Sequence, residues 1–575
     1  MERTLILLIY IINIVMKRNN RIEHISVLFI ICLISAFFLF SCNNEKGDPL
    51  HGDKSVKPNI LLIICDQQRK GALEVYGNEL ISTANLSSIA EDGVVFDRAY
   101  TPHTTCTPSR CSILTGQYAS THGAYTIGTT LSSDALKVTD ILISNGYETY
   151  AVGKMHFSPV STEGKFESWP NIMDEEFWKQ FDGPHYGFQH VQMLNRHTTE
   201  SMSCREHYGI WLKEKGMDEN DLKRYFDDKF IGRWEIPRNL HPSVFVSEKA
   251  CMFLEEHIQQ RKEKPFFMWM SFQDPHNPHI VPAPYDTLVD PGDVIYKKYI
   301  LGEFDNKPPI YQELYEKGMR NIHFSDKYGV PCASPAPPDR EEVWRRSIAI
   351  HHGMVKLMDE EIGKVIKLLK DNGLYDNTIV IFTTDHGDYL GNHGFRGKGF
   401  PSFEEVYNIP LIIKSGTAKN HGLRSNAIIS TIDLSPTILD IAGLSVPPEM
   451  EGISQKALLE GRKEKIRNAT IIEDRAVEKG FYQKMIVTKK YKLVYYYGQS
   501  YGELYDLSAD PDQYNNLWDN SKFEELKRLM LFRMYKKNVS GKRIRKTEYT
   551  VPKLLEFLDR QIDDEGPVQE RTSFS

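Results

Sequence analysis

Apolar runs and amphipathic stretches alternate along most of this chain. The run Ile60-Leu61-Leu62-Ile63-Ile64, entered through Pro58-Asn59, is continuously apolar and rich in β-branched residues, the pattern of a strand buried on both faces. Similar runs cover residues 149–152, 265–272, 378–383 and 411–414. Between them, helical spacing spans residues 134–145, 244–259, 342–372 and 433–442. Apolar strands separated by amphipathic helices predict an α/β fold with a mostly parallel central sheet flanked by helices. Residues 284–340 are rich in Pro, Tyr and charge and have weak periodicity, so they read as a long insertion near the site. Past residue 460 the pattern changes. Residues 484–487, 491–497 and 503–506 read as strands of a meander and 523–537 as a helix, predicting a smaller C-terminal subdomain with an antiparallel sheet.

In parallel sheets, ligands bind beyond the carboxyl ends of the strands. The residues just after each apolar run are therefore the informative ones. The first run ends in Cys65-Asp66-Gln67-Gln68-Arg69, the second in Gly153-Lys154-Met155-His156, the third in Gln273-Asp274-Pro275-His276-Asn277-Pro278-His279, and the fourth in Thr384-Asp385-His386-Gly387-Asp388. Any one of these is an ordinary polar loop. Together they deliver acids, histidines and a lysine to one sheet edge, which packing alone does not require.

Composition adds limits. The 575 residues can bury a large core, and 41% hydrophobic with 26% charged residues is ordinary for a globular protein. A net charge of −7 offers no broad basic excess for nucleic acid. The eight cysteines are too sparse and irregular for a disulfide framework, and a spacing of five disfavours a Cys106–Cys111 bridge. Near the N-terminus, Lys17, Arg18 and Arg21 precede an apolar run over residues 25–40, which ends at Ser41-Cys42. A basic segment, an apolar segment and a small residue before a cut predict a secretory signal, hence an exported protein of the periplasm or cell surface. The cysteine resembles that of a bacterial lipoprotein signal, with Cys42 lipidated; Phe40 departs from the small residue usual there, so simple cleavage stays open. A membrane anchor is a third reading, although the run is short for the about 20 residues of a span.

The most specific segment is Cys106-Thr107-Pro108-Ser109-Arg110, continuing to Leu114-Thr115-Gly116. Pro108 suits the first position of a helix capped by Thr107. Cys106 is then at a helix N-terminus, where free N–H groups favour an anion, and Arg110 lies one turn on. This segment resembles the signature of the formylglycine-dependent sulfatases of the alkaline-phosphatase-like superfamily. The strand with Asp66-Gln67, the Gly-Lys-Met-His and Asp-Pro-His-Asn-Pro segments, and Asp385-His386-Gly387 through His393-Gly394 to Lys398-Gly399 resemble that family in the expected order. So does the end, Glu503-Leu504-Tyr505-Asp506-Leu507 with Asp510-Pro511 and Asn516-Leu517.

The resemblance implies a bacterial carbohydrate sulfatase. Its expected organisation is a signal segment over residues 1–42, a linker over 43–57, a catalytic domain over 58–460, a C-terminal subdomain over 461–560 and a tail over 561–575. It implies that a separate maturation enzyme oxidises Cys106 to formylglycine. The hydrated aldehyde carries two hydroxyls on one carbon. One attacks sulfur and the alcohol departs; the other then loses its proton, the aldehyde re-forms and sulfate leaves. Asp66, Gln67, Asp385 and His386, with the Cys106-derived group, correspond to metal ligands. Mainly oxygen donors indicate Ca²⁺, with Mg²⁺ second. Gln67 stands where Asp is common, and His386 where Asn is often found.

By the same resemblance Arg110, Lys154 and Lys398 hold the nucleophile and the sulfate oxygens. His156 is the base for collapse of the sulfated intermediate and His276 the acid for the leaving alcohol. His279 and His393 are further substrate contacts. The polar residues His185, Asn195, Arg196 and His197 are placed to reach a sugar, and Asp388 is expected to be a structural loop acid. The partners implied are a sulfated carbohydrate and the maturation enzyme, with no nucleic acid and with membrane contact only through a lipid. Thr121-His122-Gly123 and Gly153-Lys154-Met155-His156-Phe157 also resemble phosphonate monoester hydrolases and choline sulfatases, which keeps a phosphonate monoester or phosphodiester hydrolase open.

Overall fold

The computed structural model describes residues 57–160, 163–196, 204–226, 230–318, 333–336, 338–416, 422–476 and 481–539. The expected signal segment, Cys42, His197 and the expected tail lie outside them. Strands β1 (Asn59–Cys65), β2 (Val94–Tyr100), β3 (Glu148–Gly153), β4 (His190–Met193), β5 (Phe266–Ser271), β6 (Thr378–Thr384), β7 (Asn408–Ile409), β8 (Leu411–Lys414) and β9 (Leu423–Ser430) form one sheet. Their order is β7-β2-β8-β6-β1-β5-β3-β4, with β9 beside β2. The pairs β1–β5, β1–β6, β3–β5, β3–β4 and β2–β9 are parallel; β7 and β8 run against their neighbours. This is the mostly parallel sheet that the apolar runs predict.

Alternate residues of β1 serve different cores. Leu61 and Ile63 pack with residues of α2 (Pro242–Gln260) and α3 (Glu341–Asp371). Ile60, Leu62 and Ile64 pack with α1 (Cys106–Thr115) and with the helices Val138–Ser144 and Leu434–Ile441. Both faces are therefore buried, which explains the absence of polar alternation. β10 (Ala469–Ala476), β11 (Phe481–Thr488), β12 (Tyr491–Tyr496) and β13 (Gly502–Asp506) form an antiparallel meander. Helix α4 (Glu524–Val539) packs Met530 and Met534 against it.

Two elements differ from expectation. β2 carries Asp97 and Arg98 in its middle, so it does not read as an apolar run. Both are half-buried near the sheet margin, and Asp97 pairs with Arg424 of β9 at 2.7 Å. The helix expected from residue 134 begins only at Val138, because Lys137 is extended (φ −133°).

Candidate active site

The register brings the strand ends together. Cys65 stands opposite Thr384 across β1 and β6, and Gly153 opposite Ser271 across β3 and β5. Asp66, Asp385, Lys154 and the loop to His276 thus leave the sheet at one edge. Gly153 has φ +87°, and a Cβ there would lie 1.9 Å from the Ser271 carbonyl oxygen, so only glycine lets the chain turn toward Lys154. Gln67 (φ 64°) and His156 (φ 54°) are left-handed non-glycine residues, conformations that surrounding bonds must enforce. For His156 the enforcing bonds come from Asn195, whose Oδ1 accepts from the N–H groups of Met155 (2.8 Å) and His156 (3.2 Å).

Helix α1 begins at Cys106 itself. Its cap is Thr105 (φ −128°, ψ 151°), so Thr107 is inside the first turn rather than capping it. The motif locks this helix onto the end of β6. Ser109 Oγ donates to the Asp385 carbonyl (2.6 Å), and Arg110 Nε donates to Asp385 Oδ2 (2.9 Å). Arg110 also donates through Nη1 to Lys154 O (3.0 Å) and Ser271 Oγ (2.8 Å). These contacts position Asp385 and the turn at Lys154, while Arg110 Nη2 stays buried without a partner.

Around Cys106 the charges are dense, and all but the half-buried Lys398 are buried. Sγ is 2.9 Å from Lys398 Nζ, 3.3 Å from His386 Nε2, 3.6 Å from Asp66 Oδ1 and 3.9 Å from Lys154 Nζ. Lys154 pairs with Asp66. Lys398 Nζ also lies 2.8 Å from His276 Nε2, and His276 Nδ1 faces Asn277 O at 2.5 Å. Burial and Asp66 push the Cys106 thiol up, but Lys154, Lys398 and His386 outweigh them and bring it down to about 5. The pocket therefore favours negative charge at position 106. For Asp66, burial alone raises the carboxyl; Lys154, His276 and Lys398 override it and hold the group well below the usual range.

One ligand atom from each of Asp66, Cys106, Asp385 and His386 lies within 4.8 Å of the others, all four residues being buried. Asp385 Oδ1 accepts from Gln67 N (3.0 Å) and His386 N (2.9 Å). His386 Nδ1 faces Gly387 O (3.0 Å), which directs Nε2 into the cluster, the orientation of a metal-ligating imidazole. Gln67 Nε2 donates to Asp388 and to Asn277 Oδ1 (3.3 Å), while its Oε1 is buried without a partner. An orphaned buried acceptor beside two carboxylates fits a hard cation. Asp388 also accepts from Leu390 N (2.7 Å) and Gly397 N (3.0 Å), as a loop acid would.

The remaining expected residues divide. His156 is buried with neither ring nitrogen bonded, and burial, then Lys154, lower it to about 3. His279 lies beside the site, with Nδ1 2.6 Å from Ser347 Oγ. His393 is corrected as a substrate contact. It is wholly buried, paired with Glu303 and stacked on Phe403 at 3.8 Å. His185 and Asn195 are likewise committed elsewhere, His185 to Glu167 (3.3 Å) and Asn195 to Glu206 as well as to the turn at His156. Residues not anticipated are Ser271 and Asp474. Asp474 of β10 accepts from Thr104 Oγ1 (3.0 Å) and Tyr407 Oη (2.7 Å) and lies 3.2 Å from His103 Nδ1, fixing the approach to Cys106 from the C-terminal sheet.

Residues 58–444 match the family model described as Sulfatase, and residues 391–540 match that described as N-sulphoglucosamine sulphohydrolase, C-terminal. An arylsulfatase of Clostridium perfringens is 30% identical over 82% of this chain and 92% of its own length. An N-acetylglucosamine-6-O-sulfatase of Bacteroides thetaiotaomicron is 26% identical over 94% and 92%. Among solved structures, the phosphonate monoester hydrolase of Agrobacterium radiobacter superposes with a TM-score of 0.70 at 24% identity, covering 84% of this chain and 96% of its own.

Proposed function

The chain belongs to the sulfatase family and is a sulfuric ester hydrolase, and from that premise we propose that it removes sulfate from a sulfated carbohydrate through a formylglycine formed from Cys106 beside a divalent cation. The observation that carries this reading is Cys106 Sγ held by Lys398 and His386 next to Asp66 and Asp385. Sγ stands in for the diol oxygens of the mature residue. Carbohydrate as substrate is supported by the relative that is an N-acetylglucosamine-6-O-sulfatase.

Asp66, Gln67, Asp385 and His386 would hold the cation, calcium by the oxygen-rich donor set. When bound, it supplies a Lewis acid that favours an ionised oxygen at residue 106. The hydrated formylglycine supplies a nucleophilic hydroxyl and a second one whose deprotonation releases sulfate. Lys154 and Lys398 stabilise negative charge on the sulfate oxygens. His276 Nε2 accepts a hydrogen bond from the Lys398 ammonium, so the proton for the leaving alcohol would come from the Lys398–His276 pair. His156, kept neutral by burial, is the base available for the second hydroxyl. Export, with lipidation of Cys42 or simple cleavage, and encounter with a maturation enzyme belong to the same proposal.

A panel of p-nitrophenyl sulfate, phenylphosphonate and sulfated sugars tests the reaction class. Sulfate release from the sulfate esters at the higher kcat/KM is the expected result; faster phosphonate cleavage would overturn it. A second prediction concerns the unconverted protein. Its Cys106 thiol is expected to ionise near pH 5, so thiolate absorbance, corrected with Cys106→Ser, already stands at its plateau at pH 7. The folded value lies below the unfolded one of about 8.5, so this group adds stability that grows from pH 5 upward and vanishes as pH falls through the folded value. A titration centred near 8.5 would contradict the cationic pocket.

A further inference from the structure

We propose that the cavity beside Lys398 recognises a second anionic substituent, a carboxylate or another sulfate, on the sugar that carries the scissile ester; this rests on the carbohydrate sulfatase reading. The cavity has a volume of about 100 Å³ and is lined by Asn277, His279, Trp344, Ser347 and Arg396, with Phe230 at its rim, 57% exposed. Asn277 and Gly397, both in its wall, adjoin His276 and Lys398, whose Nε2 and Nζ meet beside Cys106. A group held there belongs to the same substrate.

Two polar atoms in this wall are buried without hydrogen-bond partners, His279 Nε2 and Arg396 Nε. His279 is 7% exposed, and its Nδ1 is occupied by Ser347. In the tautomer where Ser347 donates to Nδ1, Nε2–H is a donor. Burial, helped by the Arg396 charge, outweighs Asp388 and lowers His279 to about 4, so it offers a hydrogen bond rather than a charge. Arg396 lies over the Trp344 ring at 5.5 Å, and the two-residue pairing of Phe395–Arg396 with Ser334–Pro335 fixes its backbone. The only acid in the wall, Asp388, is already used by Leu390 N, Gly397 N and Gln67. An unpartnered guanidinium Nε–H and an unpartnered imidazole N–H, backed by an indole, match an anionic sugar substituent better than a hydroxyl.

The test pairs each mono-sulfated uronate disaccharide that the matured wild type hydrolyses with its carboxyl-reduced counterpart, and with a counterpart bearing a second sulfate. The charged member of at least one pair should be preferred roughly 10- to 100-fold in kcat/KM, carried by KM. Arg396→Gln should bring that ratio near unity, and Arg396→Lys should give an intermediate ratio. The ratio cancels any loss of folded enzyme common to both substrates. The arm that responds identifies carboxylate or sulfate. Equal treatment of all pairs by wild type, or an unchanged ratio in Arg396→Gln, overturns the proposal. If the matured wild type releases no sulfate even from p-nitrophenyl sulfate, the sulfatase reading fails by itself. Calorimetric binding of the same pairs to unconverted protein then decides the cavity, and no preference for the charged member overturns it.

Discussion

Replacing Cys106 with alanine should lower kcat for sulfate release by about 10⁴-fold or more relative to the matured protein, which no longer carries the thiolate, with the melting temperatures of these two nearly equal. Removing the nucleophile leaves only binding and the charged pocket, which stabilise a transition state that water alone must reach. The structural cost is small because Sγ is one buried atom and its neighbours keep other partners: Lys154 retains Asp66, and Lys398 retains His276. Cys106→Ser separates two parts of the mechanism. It offers one hydroxyl on the β carbon where the mature residue has two. Attack can occur once, but no second hydroxyl remains to expel sulfate, so the intact protein should gain the mass of one sulfuryl group and stop. Steady-state assay and intact-mass spectrometry read both outcomes. An alanine variant with wild-type turnover would remove residue 106 from the chemistry altogether.

The parts of the site visible in the sequence are those where function is written next to a strand. Asp66, Lys154, His276 and Asp385 each follow an apolar run, and the pleated register then brings them to one edge without further information. Ser271 escaped notice because it is the last residue of a run dominated by Phe, Met and Trp, where a small polar residue reads as filler; its hydroxyl nevertheless receives Arg110. Asp474 was invisible for a different reason. It comes from the C-terminal meander and meets Thr104 only through the tertiary fold. His393 was misread because its environment is set by Glu303, inside the segment of weak periodicity, which turns a histidine in a family motif into a buried ion pair. Burial and firm hydrogen bonding likewise reassign Asn195 from a sugar contact to a support for the turn at His156. Local pattern thus identified which residues reach the edge; which side chains hold them there depended on long-range packing.

Asp385→Ala should be the most damaging single change to fold and activity together. Its carboxylate accepts from Gln67 N, His386 N and Arg110 Nε, and it is wholly buried. Deleting it strands the Arg110 guanidinium, itself wholly buried, with Nη2 already lacking a partner. An uncompensated buried charge of this kind costs about 3–5 kcal/mol, a large share of a domain's stability. Asparagine is no rescue. Its amide N–H₂ must face either the two backbone N–H groups or Arg110 Nε–H, donor against donor in each case. Both variants should therefore melt lower than wild type, with alanine lowest. Both should lose at least about 10³-fold in kcat/KM, because a negative ligand and the orientation of Gln67 and His386 go together. Added calcium should raise the melting temperature of wild type, since a ligand of the folded state shifts unfolding by mass action, and should leave the alanine variant where it was. Calorimetry with and without calcium, metal analysis and kinetics check the three statements separately. Equal calcium stabilisation of both proteins would place the cation elsewhere, and wild-type kcat/KM in the alanine variant would separate this carboxylate from catalysis.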